Sequence, residues 1–391
     1  MLPLRSLKVL DLTCKNPYIG SLFADYGAEV IKIEPPETGD PIRQRGLPES
    51  DYYAYYGRGK KSVTCDYTTA EGMALIKAML PSADMLVVNA SEEKMREYGL
   101  SCETALSINK KLIYGVLTPF GEEGPWKDLP DYDLLVMAKA GLLEKTGFAE
   151  RPTKFGFPIG YYYSAWELAA GMLAACFKAM RTGEGCKVST SIWHTVMSVD
   201  DTFAECLLGM NELPKRLGNG FPTANPTDTF RCKDGWFTLS IGSDDQWISF
   251  AERVGNKVWA EDPRYAHDPA RSMENYFGDL DGQLKDYFAT ITVAEADQIC
   301  RDAMVPGGPC NTVDDLLKDE QVRVREMLVH VADSGGGQTL QIGKAAKFLR
   351  DDENDNHFMP ARVPGADTEE ILKSLGKDDR DLEKLKQARI I

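Results

Sequence analysis

Between Phe155 and Cys176 the chain carries the pattern best suited to presenting reactive side chains. Pro158 and Gly160 break the backbone, Tyr161, Tyr162 and Tyr163 follow, and a helical repeat then begins. A tight turn into a buried helix sets its first side chains at a cleft, although the stretch alone also fits a core helix after a loop. A phenol, with a pKa near about 10, stays protonated at neutral pH and can donate a hydrogen bond. Metal chemistry finds little footing: His194, His267, His330 and His357 are scattered, and none pairs with another at ligand spacing. Gly57-Arg-Gly-Lys-Lys-Ser62 is basic and glycine-containing, but it lacks the spacing of a phosphate-binding P-loop and precedes a strand. No G-x-G-x-x-G follows the first strand, which disfavours a nicotinamide or ATP fold of the usual kind.

The elements that would position these groups alternate strand and helix. Lys8–Leu12 reads as a strand, Ile19, Leu22, Phe23 and Tyr26 share one helical face, and Gly27 is a natural stop. Glu29–Ile33 is the next strand, ended by Pro35 and Pro36. Ser62–Asp66 is followed by a capping box from Thr68 to Glu71 and a helix over Met73, Ile76, Met79 and Leu80. Asp84–Val88 and Lys111–Leu117 are apolar runs, as parallel strands covered on both faces should be. The first ~120 residues therefore read as an open parallel α/β sheet.

Further on, Trp166, Ala169, Leu173, Phe177 and Met180 recur at helical spacing and predict a face that is buried. Ala169, Ala170, Gly171, Ala174 and Ala175 give the same helix a small-residue side where another backbone can approach. Arg181 to Gly185 supplies its stop, and Lys187–Ile192 reads as a strand. Thr229–Ile241 is a hairpin turning at Lys233-Asp-Gly235, and Ser243 caps a helix through Trp247, Phe250 and Val254. Gly335-Gly-Gly337 is a turn between two strand-like pieces, Asp351–Asn356 is an acidic loop, and Thr368–Gly376 is a closing helix.

Composition bounds the function. At 391 residues there is room for two domains, and 43% hydrophobic with 27% charged residues is a soluble globular balance. A net charge of −15 argues against nucleic acid or an anionic membrane surface as partner, but leaves room for a small anion in a local basic pocket. No apolar run approaches the ~20 residues that span a bilayer. The opening residues lead into a strand pattern and do not read as a signal peptide. Nine scattered cysteines without a C-x-x-C pair suggest reduced thiols and a cytoplasmic setting.

Several separated segments line up in order and spacing: Leu7–Leu12 with Gly27–Pro36, Gly57–Ser62, Tyr132-Asp133 with Ala140–Gly147, the Phe155–Cys176 stretch, Lys233-Asp-Gly-Trp236, and Val305–Asn311. In this arrangement the chain resembles the class III coenzyme A transferases, the CaiB/BaiF family of formyl-CoA and carnitine CoA-transferases. The resemblance implies a Rossmann-like large α/β domain built from residues 1–200 and 325–391. It implies a smaller α+β domain at 219–305, linkers at 201–218 and 306–324, and two chains interlocked as rings.

It also implies a reaction in which coenzyme A, as cosubstrate and without a metal, passes from an acyl-CoA to a small carboxylic acid. In the family an aspartate attacks the thioester, forms a mixed anhydride and then carries CoA as an aspartyl thioester. Counting back from Gly171 and Ala165, that position is Tyr161. A phenol cannot form an acyl anhydride. It could form an aryl ester, donate a hydrogen bond to the thioester, or do no chemistry. Family racemases place a histidine where this chain has Tyr132, a position that contacts substrate in the transferases. Asp131 and Asp133 flank it, and Asp133 is a conceivable replacement nucleophile.

The anchors for CoA also depart from the family. Its Asn-Phe-Arg-Pro-Gly segment is Asn89–Glu93 here, with Ser91 in place of the arginine. A glutamine that contacts the reacting group falls near Asn16, and a glycine-rich lid falls in Asn219–Pro226 with few glycines left. Arg43, Arg58, Lys60 and Lys61 are the cations that could replace the lost charge. Two readings follow: a class III transferase or related CoA-thioester enzyme, most simply a homodimer, or a subunit without a nucleophile that binds, regulates or partners a catalytic paralogue. Fold resemblance alone does not choose between them.

Overall fold

The computed structural model describes residues 2–16, 18–46, 52–200, 216–220, 224–333, 337–348 and 358–391. Most of the 201–218 linker, part of the expected lid, most of the Gly335–Gly337 turn and the whole acidic loop Asp351–Asn356 lie outside them. The chain falls into two compact units. The first is Met1–Leu142, Phe155–Asp201 and Glu320–Ile391; the second is Leu143–Lys154 and Thr202–Asp319.

The first unit is organised on six parallel strands: β1 (Lys8–Asp11), β2 (Glu29–Glu34), β3 (Lys60–Thr64), β4 (Met85–Val88), β5 (Ile113–Thr118) and β6 (Cys186–Ser191). Their order is β3-β2-β1-β4-β5-β6. Alternate side chains serve opposite faces: Leu10, Leu86 and Val88 join one apolar cluster, and Val9, Met85 and Val87 join the other. With both faces covered, the strands have to be apolar throughout, which is why their sequences show runs rather than alternation. The order reverses between β1 and β4, and in open α/β sheets ligands bind in the crevice beyond the strand ends at such a switch.

Helices α1 (Tyr18–Asp25), α2 (Tyr52–Gly57), α3 (Ala70–Met79), α4 (Glu92–Glu97), α5 (Asp133–Lys139) and α6 (Ile159–Thr182) follow the strands. Gly27, at φ +98°, ends α1 as expected, its amide bonding to the Ala24 carbonyl. The third strand begins two residues earlier than its apolar pattern suggested, at Lys60. The cap of α3 is Thr69, not Thr68: its hydroxyl accepts from the Gly72 amide at 3.0 Å. Thr68 instead bonds to Asp66. Two adjacent threonines can each cap, and the start of the helix decides between them.

The long helix differs more. Its buried positions include Ala165, Leu168, Met172, Cys176 and Ala179, whereas Trp166 is 50%, Phe177 59% and Met180 67% exposed. Of the stripe expected inside this chain, Ala169 is buried and Leu173 packs against the core, but these three large side chains face outward, because the helix has two apolar faces and periodicity cannot say which one its own sheet covers.

The C-terminal segment closes the β3 edge. The Ser62 amide donates to Asp367 Oδ2 at 2.8 Å and the Thr64 amide to Thr368 Oγ1 at 2.9 Å. Ile371, Leu372, Leu382 and Ile390 join the apolar cluster of β1 to β5. An edge strand left with free amides invites pairing with other chains, and this segment removes the opportunity.

The second unit holds an antiparallel sheet in which Trp236–Ser240 lies between Thr227–Arg231 and Gly307–Pro309. Residues 307–309, within the linker expected at 306–324, thus complete a sheet. Phe230, Phe237, Trp247, Phe250, Trp259 and Phe288 form the core. Residues 143–154, read from sequence as part of the large domain, belong to this unit. Arg216 holds them by donating to the carbonyls of Glu144, Phe148 and Ala149.

Candidate active site

The loop after β1 is fixed from beneath by buried charge. Asp11, at the end of β1, is fully buried and accepts from the Thr13 amide at 3.0 Å. The Thr13 hydroxyl lies 2.6 Å from Asp11 Oδ1 and 2.8 Å from the Asn16 carbonyl. Lys32 Nζ sits 3.6 Å from Asp11 and 3.2 Å from Asp40, and it donates to the Thr13 carbonyl. Lys60 approaches the other Asp11 oxygen at 3.4 Å.

Burial alone would raise the Asp11 carboxyl, but Lys32 and Lys60 outweigh it and hold the group below its usual range. Burial would likewise lower Lys32, yet Asp11 and Asp40 carry it above the ordinary lysine value. Lys60 has less compensation, and burial leaves it lowered.

From above, Asn89 clasps the same loop. Its Oδ1 accepts from the Cys14 amide at 2.9 Å and its Nδ2 donates to the Cys14 carbonyl at 2.7 Å. Asp40 takes the Lys15 amide at 3.1 Å, with Lys15 in the left-handed region at φ +63°. Asn16 is buried, and its Oδ1 has no hydrogen-bond partner among the described residues. A buried amide oxygen in a loop beyond a strand end, left without a protein partner, is a position where a ligand or water can bind.

The remaining anchors are structural in this chain. Ser91 caps α4, accepting from the Lys94 amide at 3.3 Å. Arg43 is bidentate to Glu34 at 2.6 and 2.7 Å, bonds to the Arg362 carbonyl, and covers the Tyr53 ring at 3.8 Å. Arg58 is buried against Asp25, Gln341 and the Ile342 carbonyl. Lys60 is committed to Asp11, and Lys61 pairs with Glu29 at 2.9 Å.

Around the family's nucleophile position, α6 begins without a side-chain cap at Pro158 and projects the tyrosines from its first turn. They go to two places. Tyr162 meets the Tyr56 hydroxyl and lines a cavity of about 510 Å³ with Tyr18, Tyr55, Tyr56 and Trp166. Tyr161 turns away from that cavity and donates to Asp131 Oδ1. Burial, then the Asp131 bond and the charges of Asp131 and Asp133, push the Tyr161 phenol well above its usual pKa, so it stays protonated.

Burial also raises Asp131, partly offset by the Tyr161 hydrogen bond and the charge of Lys15. Arg45 acts on the Tyr161 side. Tyr132 is 69% exposed at the start of α5. Asp133, the first residue of α5, turns its Oδ1 to the α6 backbone, where a Cβ on Gly160 would lie 3.3 Å from it.

The structure therefore sets Asn16 in the loop that Asn89 holds through Cys14, pairs Tyr161 with Asp131, and leaves Ser91 and Arg43 in scaffold roles. The sequence reading passed over Lys15, Arg45 and the Asp131 pairing. The acidic–aromatic run Asp131-Tyr-Asp133 was the one signal available, and it does not say which carboxylate meets the phenol. Among the described residues no three His, Cys, Asp or Glu side chains converge as metal ligands. No helix among them is long and apolar enough to cross a membrane.

Comparison with known proteins bears on this geometry. The family model for CoA-transferase family III matches residues 4–366. Succinyl-CoA–D-citramalate CoA-transferase of Chloroflexus aurantiacus is 31% identical, over 100% of this chain and 98% of that protein. Succinate–glutarate CoA-transferase of Agrobacterium fabrum is 30% identical, over 85% and 86%. The crystal structure of a CaiB/BaiF family protein from Brucella suis superposes with a TM-score of 0.82 at 28% identity, covering 95% of this chain and 99% of that one. The match along almost the whole length, together with the parallel sheet and its switch-point loops, places the chain in CoA-transferase family III.

Proposed function

We propose that this protein moves coenzyme A between an acyl-CoA thioester and a small carboxylic acid. The observation that carries the reading is the family match over residues 4–366. The clasped loop at the sheet's switch point supports it, with an Asn16 side-chain oxygen that has no partner among the described residues. The positive charge of Lys15 acts on Asp131 and that of Arg45 on Tyr161, which suits anionic substrates. The test is direct. The purified chain is titrated with CoA and succinyl-CoA by calorimetry, then assayed with succinyl-CoA and a panel of carboxylic acids by mass spectrometry. New acyl-CoA products are expected; absence of both binding and exchange overturns the reading.

The working form is a dimer of interlocked chains, each with a smaller domain inserted in the larger. The outward Trp166, Phe177 and Met180 support an interface on α6. A cytoplasmic setting agrees with the eight described cysteines being free.

A second reading rests on Tyr161 standing where the family keeps its carboxylate. In it this chain is the silent half of a heteromer with a catalytic paralogue. Binding of CoA without exchange by this chain alone, and exchange once a paralogue is added, would favour it.

A further inference from the structure

Removing the family carboxylate from α6 does not leave the site without one. The phenol at 161 reaches across to a carboxylate contributed by the segment before α5, and the contact is a direct hydrogen bond from Tyr161 to Asp131 Oδ1. The neighbouring candidates are otherwise placed. Tyr132 projects to solvent, and Asp133 turns to the α6 backbone at Gly160. Asp131 is solvent-accessible, so an acyl-CoA can reach it, and only one of its oxygens is engaged by Tyr161.

We propose that Asp131 is the nucleophile of this chain: its carboxylate takes the acyl group and then CoA, while the Tyr161 hydroxyl holds it in place. This rests on the transferase reading above and names the residue that carries it.

The steps balance without another reagent. An Asp131 carboxylate oxygen attacks the thioester carbonyl; the carbon–sulfur bond breaks and CoA leaves as thiolate, giving a mixed anhydride. The thiolate attacks the Asp131 carbonyl of the anhydride and releases the first acid as its carboxylate. The second acid's carboxylate attacks the aspartyl thioester and expels the thiolate. The thiolate then attacks the new acyl carbonyl, forming the product thioester and returning the Asp131 carboxylate. The charge of Lys15 acts on this carboxylate and that of Arg45 on the phenol, which favours the negative charge that moves among carboxylates and thiolate.

The surroundings suit the assignment. Tyr161 is kept protonated, which makes it a donor and not a competing nucleophile. Protein atoms packed near Asp131 raise its carboxyl although part of its surface stays open to solvent, while the Tyr161 hydrogen bond and the charge of Lys15 favour the ionised form.

The full-length protein is incubated with succinyl-CoA, treated with borohydride to reduce an aspartyl thioester to homoserine, digested and mapped by mass spectrometry. Homoserine at position 131 is expected, with exchange and adduct both lost in Asp131→Asn. In Asp131→Glu the reduced product at 131 carries the mass of one further methylene. Tyr161→Phe should keep the adduct at 131 and slow exchange ~10²-fold, the scale of one lost hydrogen-bond donor. An adduct on Asp133 or Tyr161, or exchange that survives Asp131→Asn, overturns the proposal and leaves the transferase reading standing. CoA binding with neither exchange nor adduct overturns it in favour of the silent subunit. Failure to bind and exchange at all overturns both.

Discussion

The hydroxyl of Tyr161, on the first turn of α6, donates to the carboxylate of Asp131, a residue from the segment before α5. This pairing changes the meaning of a tyrosine at the family's nucleophile position. Read alone, Tyr161 is the loss of a carboxylate. Read with its partner, it is the donor that orients one. The phenol's raised pKa follows from the same contact, since losing its proton would set a phenolate against Asp131 and Asp133.

The hydrogen bond predicts a pH effect with a definite sign. Burial raises Asp131, and the Tyr161 donor lowers it. Tyr161→Phe removes the lowering contribution, so the Asp131 carboxyl should protonate at a higher pH than in the wild type. If ionised Asp131 is required, exchange falls as pH drops through its pKa. The acid limb of kcat against pH should therefore move upward in Tyr161→Phe, and an unchanged limb would disconnect the pair from the chemistry.

Beneath the β1 loop, Asp11 should be among the costliest residues to neutralise. It faces Lys32 and Lys60, both buried, and also holds Thr13. Asp11→Asn leaves two buried ammonium groups short of a counter-charge, a loss of about 3–5 kcal/mol for a broken buried ion network. Its folded pKa is lowered, so its contribution is complete above the unfolded carboxylate value of about 3.9. It disappears as pH falls through the lower folded value. Urea titrations should show a wide gap between wild type and variant at neutral pH and a closing one at strongly acidic pH.

How much of this was legible in the sequence depended on range. The strands of the parallel sheet announce themselves through local apolar runs such as Met85–Val88. Lys32 and Lys60 do not announce their burial. Each looks like a surface cation until Asp11 and Asp40, brought in by the fold, are seen beside it. The same limit hid the Asp131 pairing, because a contact between a loop and a helix thirty residues apart leaves no periodic trace. The outward stripe on α6 failed for another reason. Leu168, Met172 and Cys176 on one side, and Trp166, Phe177 and Met180 on another, are both apolar, and only the packed sheet tells them apart.

The C-terminal closure of β3 should be sensitive at Asp367. Its Oδ2 accepts the Ser62 amide, and the same residue donates its own amide to the Ser62 carbonyl at 2.9 Å. Asp367→Ala leaves the buried Ser62 amide without its acceptor, a cost of about 1–3 kcal/mol. Asp367→Asn keeps an acceptor oxygen and should recover most of it. Hydrogen exchange should locate the loss at Ser62 and Thr64; protection unchanged there would mean that the edge is held by other contacts.

The exposed face of α6 makes the last prediction. Phe177 and Met180 leave most of their surface to water in the isolated chain, and Arg181 stacks on Phe177 at 4.4 Å without covering it. Neither side chain belongs to the apolar clusters of its own sheet. A charge placed there should therefore leave the chain's own packing intact while opposing any apolar interface. Phe177→Asp with Met180→Glu should convert a dimer to monomer in sedimentation at micromolar concentration, with far-UV circular dichroism unchanged. Single substitutions should weaken the dimer without abolishing it, since an interface core is shared among several residues. A wild-type chain that already sediments as a monomer, or a double variant that stays dimeric, would remove this face from the assembly.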